Sequence, residues 1–521
     1  MPRPRPYTMM NRMGWLVGAA YMPPAAHFLR ALHFDVKLCF SLLPFLSKRG
    51  ILSGEGKGGC CNKKTQSPLF LRFSKEDIMA ENKVDFSNGI YDARQLGTPK
   101  LLILGAQHMF AMFGATVLVP LLTGLSVSTT LLCAGLGTLL FHFLCKGKVP
   151  AFLGSSFAYL GGFAIVSNNG ANPENLPYAC AAVALSGLVY VLFSALISAF
   201  GIRKMMKFFP PVVTGPIIIA IGLILAPSAI SNCQSNWLLA VVALATVIIC
   251  NIWGKGMVKI LPILIGVLVS YAVALVTRAV DFEAIGAAAW IGLPLHKDAM
   301  GLFAMDGSET FISAVFTIVP IALATMMEHI GDIAAISATT GKNYIRDPGL
   351  NKTLLGDGLA TAMAGLLGGP ANTTYGENTG VLALTKIYDP LVIRIAAVFA
   401  LVLSFSPKFE AVINTIPTGI VGGISFVLYG MISAIGVRNV VENKVDFTNS
   451  RNLIIAAVIL VSALGFNSVG GISFAVGTVT INLSGLAIAA IAGILLNAIL
   501  PGNDYEFDEG SNEGEGASLR V

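Results

Sequence analysis

From Leu101 onward the chain is a succession of apolar runs separated by short polar, glycine or proline breaks. The runs lie at about 100–119, 128–145, 151–167, 177–199, 212–230, 236–253 and 257–277, then at about 310–338, 353–368, 374–388, 390–406, 413–436, 452–466 and 479–499. A helix needs ~20 apolar residues to cross a bilayer, and these runs predict fourteen crossings. The predicted fold class is an all-α polytopic membrane protein, with 7+7 spans.

Two runs are poor helices at their starts. Span three opens Gly154-Ser155-Ser156-Phe157 and span ten opens Asn372-Thr373-Thr374-Tyr375-Gly376-Glu377. Gly, Ser, Thr and an aromatic favour a short extended piece over a helix. Within lipid such backbone is tolerated only where protein covers it or where it lines a cavity, and two interrupted segments at matching positions point to a transport site. Two merely kinked helices are the alternative. In span ten the extended piece would end where a helix begins, leaving Glu377 at a helix N-terminus.

The matching positions come from an internal repeat. Leu131-Leu132-x-x-Gly135-Leu136-x-Thr138 in span two returns as Leu354-Leu355-x-x-Gly358-Leu359-x-Thr361 in span nine. Ser155-Ser156-Phe157 pairs with Thr373-Thr374-Tyr375, and Pro211-x-x-Thr214-Gly215 more loosely with Pro417-Thr418-Gly419. Seven spans is an odd number, so the second half would be inverted relative to the first. A separate hexapeptide, Glu81-Asn82-Lys83-Val84-Asp85-Phe86, recurs as Glu442 to Phe447 and has no physical account.

Composition agrees with the pattern: 55% hydrophobic residues, 12% charged and a mean hydropathy of +0.75, where soluble domains carry about a quarter charged residues. The net charge of +6 reflects loop placement and no nucleic-acid partner, since no basic patch interleaved with aromatics occurs. With the N-terminus inside, fourteen lysines and arginines fall in cytoplasmic loops and only Arg278, Lys297 and Lys408 in the opposite ones. One missed span would swap every later loop. Both termini are therefore expected in the cytoplasm, with residues 79–99 as an N-terminal segment and the acidic stretch 501–521 as a disordered tail. The eight cysteines show no metal spacing and read as small packing residues. Residues 1–78 differ from the rest. Lys75-Glu76-Asp77-Ile78 before Met79 could be encoded by AAG GAG GAY ATH ATG, a bacterial ribosome-binding sequence ahead of a start codon. Natural translation is thus expected to begin at Met79, leaving 1–78 a non-native extension, with a disordered N-terminal extension as the alternative; an intact mass beginning at Met1 would refute the first.

Ionisable side chains inside the spans are few: His108 in span one, Glu328, His329 and Asp332 in span eight, Asp357 in span nine and Glu377 in span ten. A carboxylate at mid-membrane costs about 2.5–3.5 kcal/mol on insertion scales, so each should face a cavity or a partner. Glu328 and Asp332 are four apart and share a helix face, where sharing a proton would relieve their repulsion. A structural pair bonded to a neighbouring helix is the alternative. Glu377 joins them only if spans eight and ten meet. Phe157 and Tyr375, at matched positions, would add flat aromatic surface with free backbone N–H groups, although a lone aromatic in a membrane helix is more often packing. Such walls suit a planar heterocycle bearing N–H and C=O groups.

Glu377-Asn378-Thr379-Gly380, four residues, then Thr385-Lys386 resembles the signature motif of the nucleobase-ascorbate transporters. Gln107-His108-x-x-Ala111-Met112-Phe113-Gly114-Ala115-Thr116, Gly154 to Ala158, Glu328-His329-x-Gly331 and Asn372 to Gly376 extend the resemblance to about residues 95–500, nearest to the family's bacterial uracil carriers. The resemblance implies a core domain (100–199 and 309–407), a gate domain (211–278 and 413–500), and import of uracil with a proton across the inner membrane. It implies that Glu328 and Glu377 bond the polar edges of the base, that Gly376 and Phe157 offer backbone amides, and that Tyr375 and Ala115 lie close by. Proton coupling would fall to Glu328, Asp332 and His108, and Tyr429 in span twelve would face the core as a gate. No cofactor and no metal is implied beyond the coupling proton. Some uracil carriers have histidine where this chain has Asp332. Glutamate at 377, where ascorbate carriers have proline, favours a nucleobase, with xanthine or another purine as the rival. An anion channel would want positive charge in its spans, and a membrane enzyme a nucleophile, metal cluster or phosphate loop, none of which stands out. A homodimer is compatible with the chain, whose oligomeric state the residues do not fix.

Overall fold

A computed structural model describes residues 89–502 except 478, 503 and 504 excluded, together with Tyr505. The expectations for residues 1–78, the first hexapeptide copy and the acidic tail lie outside the described residues.

The chain is overwhelmingly helical. In order it forms α1 (Thr98–Thr123), α2 (Val127–Leu144), β1 (Leu153–Ser155), α3 (Leu160–Val166), α4 (Leu176–Phe200), α5 (Pro211–Gln234), α6 (Trp237–Trp253) and α7 (Pro262–Val276). There follow α8 (Glu309–Ile318), α9 (Ala322–Thr340), α10 (Leu350–Leu367), β2 (Asn372–Thr374), α11 (Gly376–Thr385), α12 (Pro390–Ser404), α13 (Pro407–Asn414), α14 (Thr418–Glu442), α15 (Ser450–Ser468), β3 (Ile472–Val476), β4 (Val479–Leu483) and α16 (Gly485–Ile499). Among the described residues, seven helices are long and apolar enough to cross a membrane, and α12 with α13, bent by 88°, makes an eighth if counted as one span.

Several boundaries differ from the sequence reading, each for a local reason. The run at 310–338 is one continuous apolar stretch, but Pro320 lacks an N–H to donate and the chain passes through a 3₁₀ turn (Val319–Ile321) between α8 and α9. The run at 479–499 does not begin as helix: Val479, Thr480 and Ile481 are β-branched and form β4, which pairs antiparallel with β3 around Gly477 (φ 65°). That hairpin is strand structure beyond the two expected extended pieces. The run at 413–436 divides into α13 and α14 ahead of Pro417.

Packing pairs elements of the two halves. α10 lies along α4, and α2 lies along α12; α5 lies along α14; α14 packs on α6 as α5 packs on α15; and α7 on α6 is matched by α16 on α15. Small residues let these backbones approach, as expected where lipid supplies no hydrophobic drive between helices. At the α4–α10 crossing, a Cβ on Gly358 would lie 2.7 Å from the carbonyl oxygen of Gly187, and a Cβ on Gly135 of α2 would lie 2.8 Å from that of Ala397 on α12. The two crossings use equivalent glycines of the repeated motif.

Candidate functional site

The centre of the molecule is the pair β1–β2. These three-residue strands run antiparallel with Leu153 opposite Thr374, Gly154 opposite Thr373 and Ser155 opposite Asn372, and both are buried. Two further bonds extend the ladder, from Ser156 N to Ala371 O (2.8 Å) and Tyr375 N to Phe152 O (3.0 Å). The repeated threonines hold it in place. Thr138 Oγ1 donates to Leu153 O (3.1 Å) and accepts from Leu153 N (2.9 Å), while Thr361 Oγ1 donates to Asn372 O (2.8 Å). Each half thus uses the same motif position on the preceding helix to tether its own strand.

Past the strands the chain turns helical on both sides: a 3₁₀ turn (Phe157–Tyr159) leads into α3, and α11 starts at Gly376. The first N–H groups of any helix lack intrahelical acceptors, so both crossings end in backbone donors with the positive end of a helix dipole behind them. Glu377 sits in the first turn of α11 and reaches back to its own N–H.

α9 supplies the facing acids, and α9 and α11 are in contact. Glu328 lies in the electrostatic field of Asp332, Glu377 and Asp357, so α9, α10 and α11 bring their acids together. Among the described residues the buried Glu328 Oε2 has no hydrogen-bond partner. Asp332 Oδ2 accepts from Thr374 Oγ1 at 3.0 Å, and that hydroxyl lies 3.4 Å from His329 Nδ1. His329 Nδ1 in turn stands 3.0 Å from Asp357 Oδ2, with both side chains fully buried. In the sequence His329 and Asp357 stand out only as ionisable positions within apolar runs, and the spacing of Glu328 and Asp332 carries no sign of which way His329 turns.

The remaining candidates take distinct places. His108 is buried on α1, its Nδ1 3.2 Å and its carbonyl 3.1 Å from Asn378 Nδ2, next to Glu377 in sequence. Tyr375 ties its phenol to the crossing: it donates to Ser155 O (2.8 Å), lies 3.1 Å from Ser155 Oγ and accepts from Thr116 Oγ1 (3.2 Å). Ala115 is fully buried beneath that latch, and its carbonyl is 3.4 Å from Ser155 Oγ. Phe157 packs edge-on against Tyr429 of α14, ring centroids 5.7 Å apart. A cavity of about 430 Å³ opens between α1, α7, α11 and α14. Gly376 and Glu377 line it together with apolar side chains such as Phe110, Ile263 and Ile435, and Lys259 and Arg438 also border it. It is large enough for a small planar ligand. Among the described residues no group of His, Cys, Asp and Glu is arranged to hold a metal.

Paired half-helices meeting at an antiparallel crossing inside a bundle of apolar helices define a multi-pass membrane transporter. The fold is that of the transmembrane domain of a cyanobacterial bicarbonate transporter, BicA (TM-score 0.54, 18% identity, covering 74% of this chain and 99% of that one), and of SLC26A9 (TM-score 0.56, 13% identity, 78% and 66%). A family model described as "Permease family" (Xan_ur_permease) matches residues 99–471. The chain belongs to this family, the nucleobase-ascorbate transporters. Similar proteins include the uracil permease of Bacillus caldolyticus, 42% identical over 410 residues (77% of this chain, 92% of that protein). The uracil permease of Bacillus subtilis (strain 168) is 39% identical over 437 residues (81% and 97%), and that of Escherichia coli (strain K12) 38% over 408 residues (76% and 90%).

Proposed function

We propose that this chain is a uracil permease that brings uracil and a proton together across the cytoplasmic membrane by alternating access. The observation that carries the reading is the match to proteins named uracil permease along 90–97% of their own length, a match that includes the strand crossing and both acid-bearing helices. The chemistry fits: uracil presents N–H and C=O groups at the edge of a flat ring. Glu328, with a free buried oxygen, and Glu377 would accept from its N–H groups, the amides of Gly376 and Phe157 would donate to its carbonyls, and Phe157 with Tyr429 would close over the ring. Tyr375 and Ala115 would act from behind, keeping the crossing in shape. Asp332 and His108 sit beside the two binding glutamates and would take part in proton coupling.

The reciprocal packing of the halves supports fourteen spans in two inverted sets of seven. On that reading residues 100–199 and 309–407 form a core that carries the site, 211–278 and 413–500 form the gate, and both termini are cytoplasmic. Lys259 and Arg438 belong to the lysine- and arginine-rich side, so the cavity beside Glu377 would be the path to the cytoplasm. One proton accompanying neutral uracil contributes about 2.3 kcal/mol per 100 mV and about 1.4 kcal/mol per pH unit, enough for accumulation of tens- to hundreds-fold. In proteoliposomes with an imposed pH gradient, labelled uracil should accumulate, excess unlabelled xanthine should compete poorly, and Glu328→Gln or Glu377→Gln should abolish accumulation. Full accumulation by either variant would remove that carboxylate from the mechanism.

A further inference from the structure

We propose that the proton and the base part company inside the protein: the base leaves through the cavity beside Glu377, and the proton through a buried relay running Asp332, Thr374, His329, Asp357 towards the start of α10. This rests on the reading of the chain as a proton-coupled uracil carrier and adds a separate path for the proton.

The groups of the relay stand in sequence, and Nδ1 of His329 faces both of its neighbours, in contact with Asp357 but not hydrogen-bonded to it in this conformation. Asp332 Oδ2 and Thr374 Oγ1 are 3.0 Å apart, Thr374 Oγ1 and His329 Nδ1 3.4 Å, and His329 Nδ1 and Asp357 Oδ2 3.0 Å. A hydroxyl both donates and accepts, and imidazole can take a proton at a free ring nitrogen and release it again. Transfer then balances as follows. Thr374 Oγ1 gains the proton of Asp332 as its own hydroxyl hydrogen passes to Nδ1 of His329, and once the imidazole has rocked from Thr374 towards Asp357, Nδ1 hands that proton to Oδ2 of Asp357. One proton has moved between two carboxylates, and every intermediate group is restored.

The chain of groups points away from the cavity, whose lining includes Glu377 but none of Asp332, Thr374, His329 or Asp357. Asp357 faces α2 and α4: it is within electrostatic reach of Cys145, Tyr159, Tyr190 and Glu328. Cys145 Sγ donates to Lys352 O at 3.8 Å, and Lys352 is half-buried in the first turn of α10. Asp357 follows Lys352 by five residues, roughly 7.5 Å of helix rise. That end of α10 neighbours the exposed pair Lys148–Asp347, on the lysine- and arginine-rich side. His329 itself packs edge-on against Phe141, ring centroids 6.3 Å apart.

Separate routes make a testable split. Counterflow, the exchange of labelled for unlabelled uracil at equal pH, needs the binding site and the conformational change but no net proton movement. Uracil-driven acidification of the liposome interior, followed with an entrapped pH dye, needs the proton to reach the far side. In Asp357→Asn, counterflow should stay near the wild-type rate while uracil-driven acidification falls by about 100-fold, the scale on which a positioned proton-transfer group acts. Acidification at the wild-type rate in this variant would overturn the relay. Should Asp357→Asn lose counterflow as well, Thr374→Val, which keeps the shape and removes the hydroxyl, decides by the same two readouts: split readouts uphold the relay, and joint loss or joint retention overturns it. Wild-type protein that exchanges uracil without any acidification would instead overturn the proton-coupled reading on which the relay depends.

Discussion

Gly154 offers the sharpest quantitative test of how the site is held. A Cβ built there lies 2.6 Å from both Cε2 and Cζ of Tyr375 and 2.7 Å from Thr116 Oγ1. Carbon atoms pack at about 3.5–4.0 Å, so in Gly154→Ala the phenol ring must move by about 1 Å. It is not free to do so, because its hydroxyl is tied to Ser155 O at 2.8 Å and to Thr116 Oγ1 at 3.2 Å. Overpacking costs about 1–3 kcal/mol, and one broken neutral hydrogen bond adds about 1 kcal/mol. The expected destabilisation is therefore about 2–4 kcal/mol. Tyr375 caps α11 two residues before Glu377, so the shift is passed to the carboxylate, and loss of the charged hydrogen bond we propose it makes to the base is worth about 1.5–3 kcal/mol, or about ten- to a hundredfold in Kd. Equilibrium binding of labelled uracil to purified protein reads the second effect and thermal unfolding in detergent the first. Gly161→Ala is the control, since the nearest atom to its new Cβ is Asn467 Oδ1 at 3.9 Å. Wild-type uracil affinity in Gly154→Ala would refute the coupling of Tyr375 to Glu377.

Thr138→Val should lower the thermal midpoint more than Thr361→Val, because Thr138 satisfies both the N–H and the C=O of Leu153 whereas Thr361 satisfies one carbonyl; each buried backbone group left without a partner costs about 1–3 kcal/mol, and the reverse order would contradict the assignment. At the C-terminal ends of α9 and α11, Tyr91 OH donates to Thr340 O, and Ile90 bonds both Lys386 O (2.8 Å) and Tyr388 N (2.7 Å). Tyr91→Phe removes one of these ties and should cost only about 1 kcal/mol. Gly89→Ala, at φ 76° with its Cβ driven into the Tyr388 ring, should cost clearly more in the same unfolding assay.

Much of the site could be read from the residues because its unusual parts are unusual in composition. Gly, Ser and Thr at the head of two apolar runs gave the extended crossings, and the spacing from Leu131 to Thr138 and from Leu354 to Thr361 gave the matched helices behind them. What escaped notice depended on rotation about single bonds. Sharing a face did not decide that Asp332 would turn to Thr374 while Glu328 kept a free oxygen, nor that His329 would find Asp357 on another helix. Nor did the residues tell that the hydroxyl of Tyr375 would be spent on Ser155 and Thr116. The β3–β4 hairpin was hidden for a different reason: Ile472 to Leu483 is as apolar as a span, and only its β-branched residues and Gly477 distinguish a strand pair from the first turns of a helix.

The pairing of β1 with β2 also sets a timetable for biosynthesis. Ser155 at the end of β1 and Tyr375, just past β2, are 220 residues apart, and a ribosome adds roughly 5–20 residues per second. For roughly 10–45 s the first strand has been made and its partner has not, leaving backbone donors and acceptors unpaired in a region without water to satisfy them. The nascent first half must shelter them, in the translocation machinery or against its own helices, until residue 374 arrives. Truncated chains ending before β2 are therefore expected to be substrates for membrane quality control, however well their individual helices insert.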